Sequence, residues 1–422
     1  MNRCVAGSVR VTVLLLATTA MLSPEITAAA EAEPANVVAP AAPSTKPSKS
    51  ASAVVAASNR FGARLVGASV KPNANRTVIL SPYGVSTALT MLALGAEGRT
   101  RTVLHNGLGH ARLTRQQVID ACRKLQGELA AASNEKALLK TANSVWLRHD
   151  TPANPQSKDT LAGAFSATLH TVDFASAGAA DEINRWVKTA TDGLIPKMID
   201  SVDARAAFVL ANAVYFKGAW ARAFDPALTK PAPFTRTDGS TAEVPMMSTT
   251  MAVEYAVAGD HHAVSLPYHD GRFRLILLTS RVLKSGSVHG LVTSHNLADV
   301  LGGLAFEQSE VNLRLPRFRV ELSQELTQLL ATSGLAQAFA PRANYRQITR
   351  AKVEELLVLH RVFLDMNEAG TEAAAATAVV GTRELAAEPP TFSADRPFAL
   401  ALVERTTGVM LFLGYVGDPT VT

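Results

Sequence analysis

Few of the 422 residues are arranged for chemistry. There is no G-x-S-x-G nucleophile elbow, no H-E-x-x-H zinc motif, no phosphate loop and no G-x-G-x-x-G. Gly107-Leu108-Gly109 comes nearest and lacks the third glycine. His261-His262 is the most tempting metal pair, but neighbours on a strand point to opposite faces and cannot readily share one ion. They are read as ordinary surface histidines. Cys122 stands beside Arg123 and Lys124, which could lower a thiol pKa, yet a packed helix residue is the preferred reading. Arg99, Arg101, Arg112, Arg115, Arg123 and Lys124 cluster in sequence; a solvated helix face and a polyanion site are the two readings.

The informative stretch is residues 367–380, Asn-Glu-Ala-Gly-Thr-Glu-Ala-Ala-Ala-Ala-Thr-Ala-Val-Val. Alanine alone favours helix, but no apolar stripe accompanies it, and polar residues and Pro389-Pro390 follow. With a period of two, Thr371, Ala373, Ala375, Thr377 and Val379 share one face. That face is small and uncharged. Glu372, the single charge among residues 371–380, falls on the other face with Ala374 and Ala376. Such a strand could slip between two others without steric or charge penalty, and Gly370 would supply a hinge.

The elements that must position this stretch are signalled locally. Ser81-Pro82 opens a helix, serine as cap and proline at the first turn, with Val85, Ala88, Leu89 and Leu92 as its stripe and Gly95 as its stop. Residues 181–188 form a short helix. Residues 206–216 are nearly all apolar and read as a strand covered on both faces, so Asn212 in its middle requires a buried polar network. Residues 273–278 make another buried strand. Val311, Leu313 and Leu315 mark a half-buried one. Ser323 is expected to cap a helix carrying Leu326, Leu329 and Leu330 and ending at Gly334. Residues 398–403 and 409–416 form a hairpin. The fold class is α+β.

Composition frames these elements. With 47% hydrophobic and 18% charged residues the chain builds a core and is neither disordered nor collagen-like. A net charge of +5 from 41 basic and 36 acidic residues does not argue for nucleic acid. Cys4 and Cys122 are the only cysteines, which excludes a disulfide framework or a cysteine-built zinc site. Residues 1–30 read as a secretory signal: Arg3 and Arg10, an apolar stretch, then Ala28-Ala29-Ala30. Residues 31–53 are an Ala/Pro/Ser/Lys-rich tether, and 54–419 one large domain. The expected location is secreted, extracellular or periplasmic. Composition and tether suggest a bacterial protein.

The 367–380 stretch resembles the hinge of the serpins, suicide inhibitors of serine proteases. Similar segments follow in family order: Ser81-Pro82-Tyr83-Gly84, residues 212–220 (Asn-Ala-Val-Tyr-Phe-Lys-Gly-Ala-Trp), Val244-Pro245-Met246-Met247, Leu315-Pro316-Arg317-Phe318, His360-Arg361, Arg396-Pro397-Phe398 and Phe412-Leu413-Gly414. The resemblance implies three β-sheets, eight or nine helices and an exposed reactive-centre loop. It implies that a serine endopeptidase is trapped as an acyl-enzyme when the cut loop inserts into the main sheet, a known family property and not a deduction from this chain. It assigns the hinge to Glu368, Gly370, Thr371, Glu372, Ala373, Ala374, Ala375, Ala376 and Thr377. It assigns the sheet-opening cluster to Ser81, Asn212 and His360, with Trp220 where insertion begins. Plain core packing is the alternative for these four. Gly84 and Thr77 depart from the family's usual serine and asparagine, so the gate is expected to be looser or rearranged.

The resemblance implies a reactive bond after the fifteenth residue counted from the hinge glycine, which from Gly370 is Glu384–Leu385 and would suit an acid-preferring protease. A bond one residue earlier, Arg383–Glu384, would suit a trypsin-like enzyme. No cofactor, metal or nucleic acid is implied, and a monomer is expected. A non-inhibitory carrier is the main rival; the uncharged Thr371 argues against it. A hydrolase is the second, and no nucleophile–base pairing supports it. Ladder hydrogen bonds at about 0.5–1.5 kcal/mol per inserted residue nearly cancel backbone ordering at about 1–2 kcal/mol, so strain in the uncut fold must drive insertion.

Overall fold

The apolar run 206–216 becomes the middle of a five-stranded sheet. A computed structural model describes residues 49–71, 75–282, 287–341, 343–370 and 388–420. The sheet order is β10 (Phe318–Glu325), β11 (Leu356–Met366), β4 (Phe208–Gly218), β2 (Ala137–Arg148) and β3 (Thr168–Val172). β10 is antiparallel to β11, and β2 antiparallel to β4. β11 and β4 run parallel, with Leu356 opposite Phe208 and Phe363 opposite Tyr215.

The period-two rule assigns the faces. Val209, Ala211, Ala213 and Tyr215 pack under Ile183 and Val187 of α6 (Ala179–Ala190). Val214 and Phe216, with Val362 and Leu364 of β11, pack instead against Val264, Leu275, Leu400 and Phe412 of the second sheet. Hence β4 is covered on both sides, as its composition requires.

The second sheet has nine strands among the described residues. Its path is β1 (Val78–Leu80), β14 (Met410–Val416), β13 (Phe398–Glu404), β8 (Phe273–Ser280), β7 (His261–Pro267), β6 (Thr241–Ala258), β9 (Glu307–Pro316) and β12 (Thr391–Ser393), with β5 (Lys230–Thr235) also on β6. β6 is 18 residues long and pairs β7 near its end, β5 near its start and β9 along the other edge. Two of the three expected sheets are therefore continuous through β6. β13 and β14 form the expected hairpin, with Phe398 opposite Val416 and a bulge between Leu402 and Val403.

Nine α-helices lie among the described residues. α1 (Lys49–Ser69) starts inside the segment expected as tether, and its Ala51, Val54 and Val55 are buried. The expected signal and the rest of the tether lie outside the described residues. α2 (Pro82–Gly95) is buried on every side, so its stripe is only part of its contact surface. Ser81 caps it, its hydroxyl accepting from the Gly84 amide.

Ser323 is corrected: it lies in β10 and donates to the Met198 carbonyl. The helix begins later, at Thr327, whose amide is capped by Glu325 at 2.6 Å. Alternation in 318–325 outweighs the serine because the β10 amides are taken by β11. Gly334, at φ +96°, does break the helical geometry.

Candidate functional site

Asn212 and His360 meet because β4 and β11 are in register: they are directly opposite each other on the parallel pair. His360 Nδ1 and Asn212 Oδ1 are 2.8 Å apart. On the far side of the ring, the Ser81 backbone amide donates to His360 Nε2 at 3.0 Å. A backbone N–H can only donate, so Nε2 must carry the lone pair and Nδ1 the proton. The imidazole is neutral. Burial pushes its pKa down to about 3, because water cannot reach a charged form there.

Asn212 then donates from Nδ2 to Asn143 Oδ1 at 2.7 Å. Asn143 is Asn212's register partner on β2 and is itself buried. A chain of polar contacts therefore crosses β11, β4 and β2 beneath the α2 N-terminus. Asn143 was not singled out from the sequence; a lone amide in the uncharged stretch 141–147 was the available signal.

Gly84 faces the Asn212 amide. A Cβ there would lie 2.2 Å from Asn212 Oδ1 and 2.9 Å from Val214 Cγ2. The missing side chain makes room for the Asn212 amide against the helix. Thr77 is not in this cluster; its hydroxyl donates to the Asp418 carbonyl at 2.6 Å.

β11 leads directly into the stretch that the resemblance marks as the hinge. Asn367 and Gly370 close a tight turn through paired backbone bonds of 2.9 and 3.2 Å. The turn seats on residues 218–224. Trp220 Nε1 donates to the Asn367 carbonyl at 2.9 Å, and the Trp220 amide to the Ala369 carbonyl at 3.0 Å. The Trp220 ring stacks on Tyr268, centroids 4.5 Å apart. The buried Glu368 accepts from Thr229 Oγ1 at 2.7 Å and lies 3.5 Å from the half-exposed Arg317. Its carbonyl accepts from the Phe224 amide at 2.7 Å.

Gly370 has φ +125°, and a Cβ would sit 2.2 Å from the Gly218 carbonyl oxygen. Only glycine fits this conformation and approach. Gly370 also forms an isolated antiparallel bridge with Ala219, just past the end of β4. Thr371, Glu372, Ala373, Ala374, Ala375, Ala376, Thr377, Arg383, Glu384 and Leu385 lie outside the described residues. The chain re-enters where Asn312 holds the Pro390 carbonyl through its amide at 2.9 Å and the Pro389 carbonyl through Nδ2 at 3.3 Å.

A family model described as Serpin (serine protease inhibitor) matches residues 56–419. The chain belongs to the serpin family. This serpin is 32% identical over 387 residues to Serpin-ZXA of Oryza sativa subsp. japonica, spanning 86% of this chain and 97% of the relative. It is 30% identical over 376 residues to the leukocyte elastase inhibitor of Sus scrofa, spanning 86% and 99%. The native structure of the thermophilic serpin Tengpin superposes with a TM-score of 0.77 at 23% identity, covering 89% of this chain and 96% of that one. Human thyroxine-binding globulin bound to its hormone gives 0.77 at 24% identity, covering 88% and 99%. The serpin α+β fold is thereby established. Serpins are mostly protease inhibitors, and the fold also serves a hormone-binding globulin.

The remaining sequence candidates fall elsewhere in this serpin. His262 is buried, contrary to the surface reading: it packs on Phe392 with centroids 4.8 Å apart, and burial pushes its pKa down to about 4. Period two turns it inward while His261 stays partly exposed. Cys122 is packed within α4 (Arg115–Ala132), where burial pushes the thiol up to about 12. The six basic residues are exposed on α3 (Gly98–Gly107), α4 and the turn between them. Arg99 bonds Gln337, Arg123 pairs with Asp120 at 3.1 Å, and Lys124 with Glu128 at 3.5 Å. Among the described residues no group of three or more His, Cys, Asp or Glu side chains is placed to hold a metal.

Proposed function

We propose that this serpin is an exported inhibitor of serine endopeptidases, acts as a suicide substrate and is not an enzyme. The observation that carries the reading is the Ala219–Gly370 antiparallel bridge at the top of the parallel β4/β11 pair. A segment continuing from Gly370 would run antiparallel to both strands. One parallel interface would be replaced by two antiparallel ones, which are slightly more stable per residue. Extending the bridge's register would set Thr377 opposite Asn212, so the inserted hydroxyl would meet the polar cluster it divides.

In this reading the protease serine oxygen attacks the Glu384 carbonyl carbon, and the Glu384–Leu385 C–N bond breaks. The serine's proton passes through the protease's own base to the Leu385 amine. An ester to Glu384 remains. Water would ordinarily hydrolyse it; insertion carries the tethered protease away and stalls that step. Glu384 would select an acid-preferring enzyme. Attack at Arg383–Glu384 would select a trypsin-like one.

The test is incubation with a protease panel, followed by denaturing gels and mass spectrometry of the released C-terminal peptide. A covalent 1:1 complex with a peptide starting at Leu385 is expected. Cleavage without a complex, and identical heat resistance of intact and nicked protein, would refute the trap and leave the binding-protein reading.

A further inference from the structure

A cavity of about 20 Å³ lies beside α2. Its walls come from α1 (Val54, Ser58), α2 (Tyr83, Ser86, Thr87, Thr90), α4 (Cys122, Leu125) and His110. Ser86 and His110 both line it, and neither Ser86 Oγ nor His110 Nδ1 has a hydrogen-bond partner among the described residues. The two residues are 6% and 1% exposed, so bulk water does not satisfy them. Orphaned polar atoms are uncommon in native interiors, because each forgoes its hydration without replacement. Two of them on one small cavity point to a common partner.

We propose that this cavity is a binding site for a single structural water that bridges Ser86 Oγ and His110 Nδ1. The volume suits one molecule: a water needs at least about 10–15 Å³ of this kind of space and two to four polar partners. Further acceptor capacity is at hand. Ser58 Oγ donates to the Pro82 carbonyl at 3.1 Å and Thr90 Oγ1 to the Ser86 carbonyl at 2.7 Å, so each hydroxyl keeps oxygen lone pairs to offer. The His110 imidazole is neutral at physiological pH, with a pKa pushed down to about 4 by burial and by His105, so it can accept from the water or donate to it. Anything much larger is excluded by the packed Val54, Leu125 and Phe165 side chains. The site would join α2, through Ser86, to the turn before α4, through His110, and α2 is the helix whose N-cap residue, Ser81, closes the polar cluster of the sheet.

Oxygen-17 relaxation dispersion on the intact protein counts long-lived waters, and the Ser86→Ala variant removes one of the two anchors. The expected result is a loss of amplitude equal to one water in the variant. A high-resolution crystal structure of the unmodified protein is expected to show one ordered density peak within 3.2 Å of both Ser86 Oγ and His110 Nδ1. Equal amplitudes in the two proteins, or a refined map without that peak, would overturn the assignment.

Discussion

Introducing a single methyl group at Gly84 should unlock the sheet. A Cβ there would stand 2.2 Å from Asn212 Oδ1, far inside contact distance, so the amide must move. Moving it abandons the 2.8 Å bond from His360 and the 2.7 Å bond to Asn143. Each stranded buried group costs about 1–3 kcal/mol, or about 2–6 kcal/mol for the pair. Replacing glycine by alanine inside a helix returns about 1 kcal/mol. The net loss for Gly84→Ala is then about 1–5 kcal/mol. A domain of about 365 residues unfolds with an entropy near 0.77 kcal/mol/K, so Tm should fall by roughly 1–7 °C. Calorimetry at one scan rate measures this. In an Asn212→Ala background the clash with Oδ1 is gone, and the cost of Gly84→Ala should shrink. A Gly84→Ala protein that melts at or above the parent temperature would refute the placement of Asn212 against the helix.

Other outcomes follow from the same geometry. His360 has a folded pKa of about 3 against 6.5 unfolded, so the unfolded chain binds more protons between those values. Its contribution to stability is complete above pH 6.5 and is lost as pH falls toward 3, by up to about 1.4 kcal/mol per pH unit. His110 and His262, both pushed down to about 4, act with the same sign. The reading is therefore the difference in urea midpoints between parent and His360→Gln at pH 7 and pH 5: the variant should lose less on acidification, and parallel losses would exclude the residue. Thr371→Arg would force an unpaired charge into the sheet at a cost of several kcal/mol, converting inhibitor to substrate; full inhibition by that variant would remove insertion as the mechanism. Glu368→Lys deprives Thr229 of its acceptor and sets a second cation beside Arg317. About 1–2 kcal/mol of local stability should go, read as faster amide exchange at Trp220 and Phe224, while unchanged protection there would show that the turn does not depend on Glu368.

Much of the framework was legible because its signals are local. A serine cap before proline starts α2 whatever lies around it. The nearly continuous apolar run at 206–216 cannot be exposed on either face, and the amide in its middle cannot be left unpaired. Gly370 reads as a hinge because glycine reaches conformations that other residues avoid, and its φ of +125° is one of these. Ser323 misled because its own preference for a helix cap is worth about 1 kcal/mol, whereas the antiparallel pairing of β10 with β11 engages the whole segment. His262 misled because a two-residue motif carries no information about which face of a sheet is covered.

By itself, then, the chain's order of residues determined where strands and helices form, which positions must be buried and that one buried amide needed partners. Only the tertiary structure decided who those partners are. Asn143, Asn212 and His360 are separated by 69 and 148 residues along the chain and meet through the registers of two strand pairings. Register is set by the packing of both sheet faces together, and a slip of one residue in either pairing would turn the slipped strand's side chain to the opposite face and break the chain of contacts.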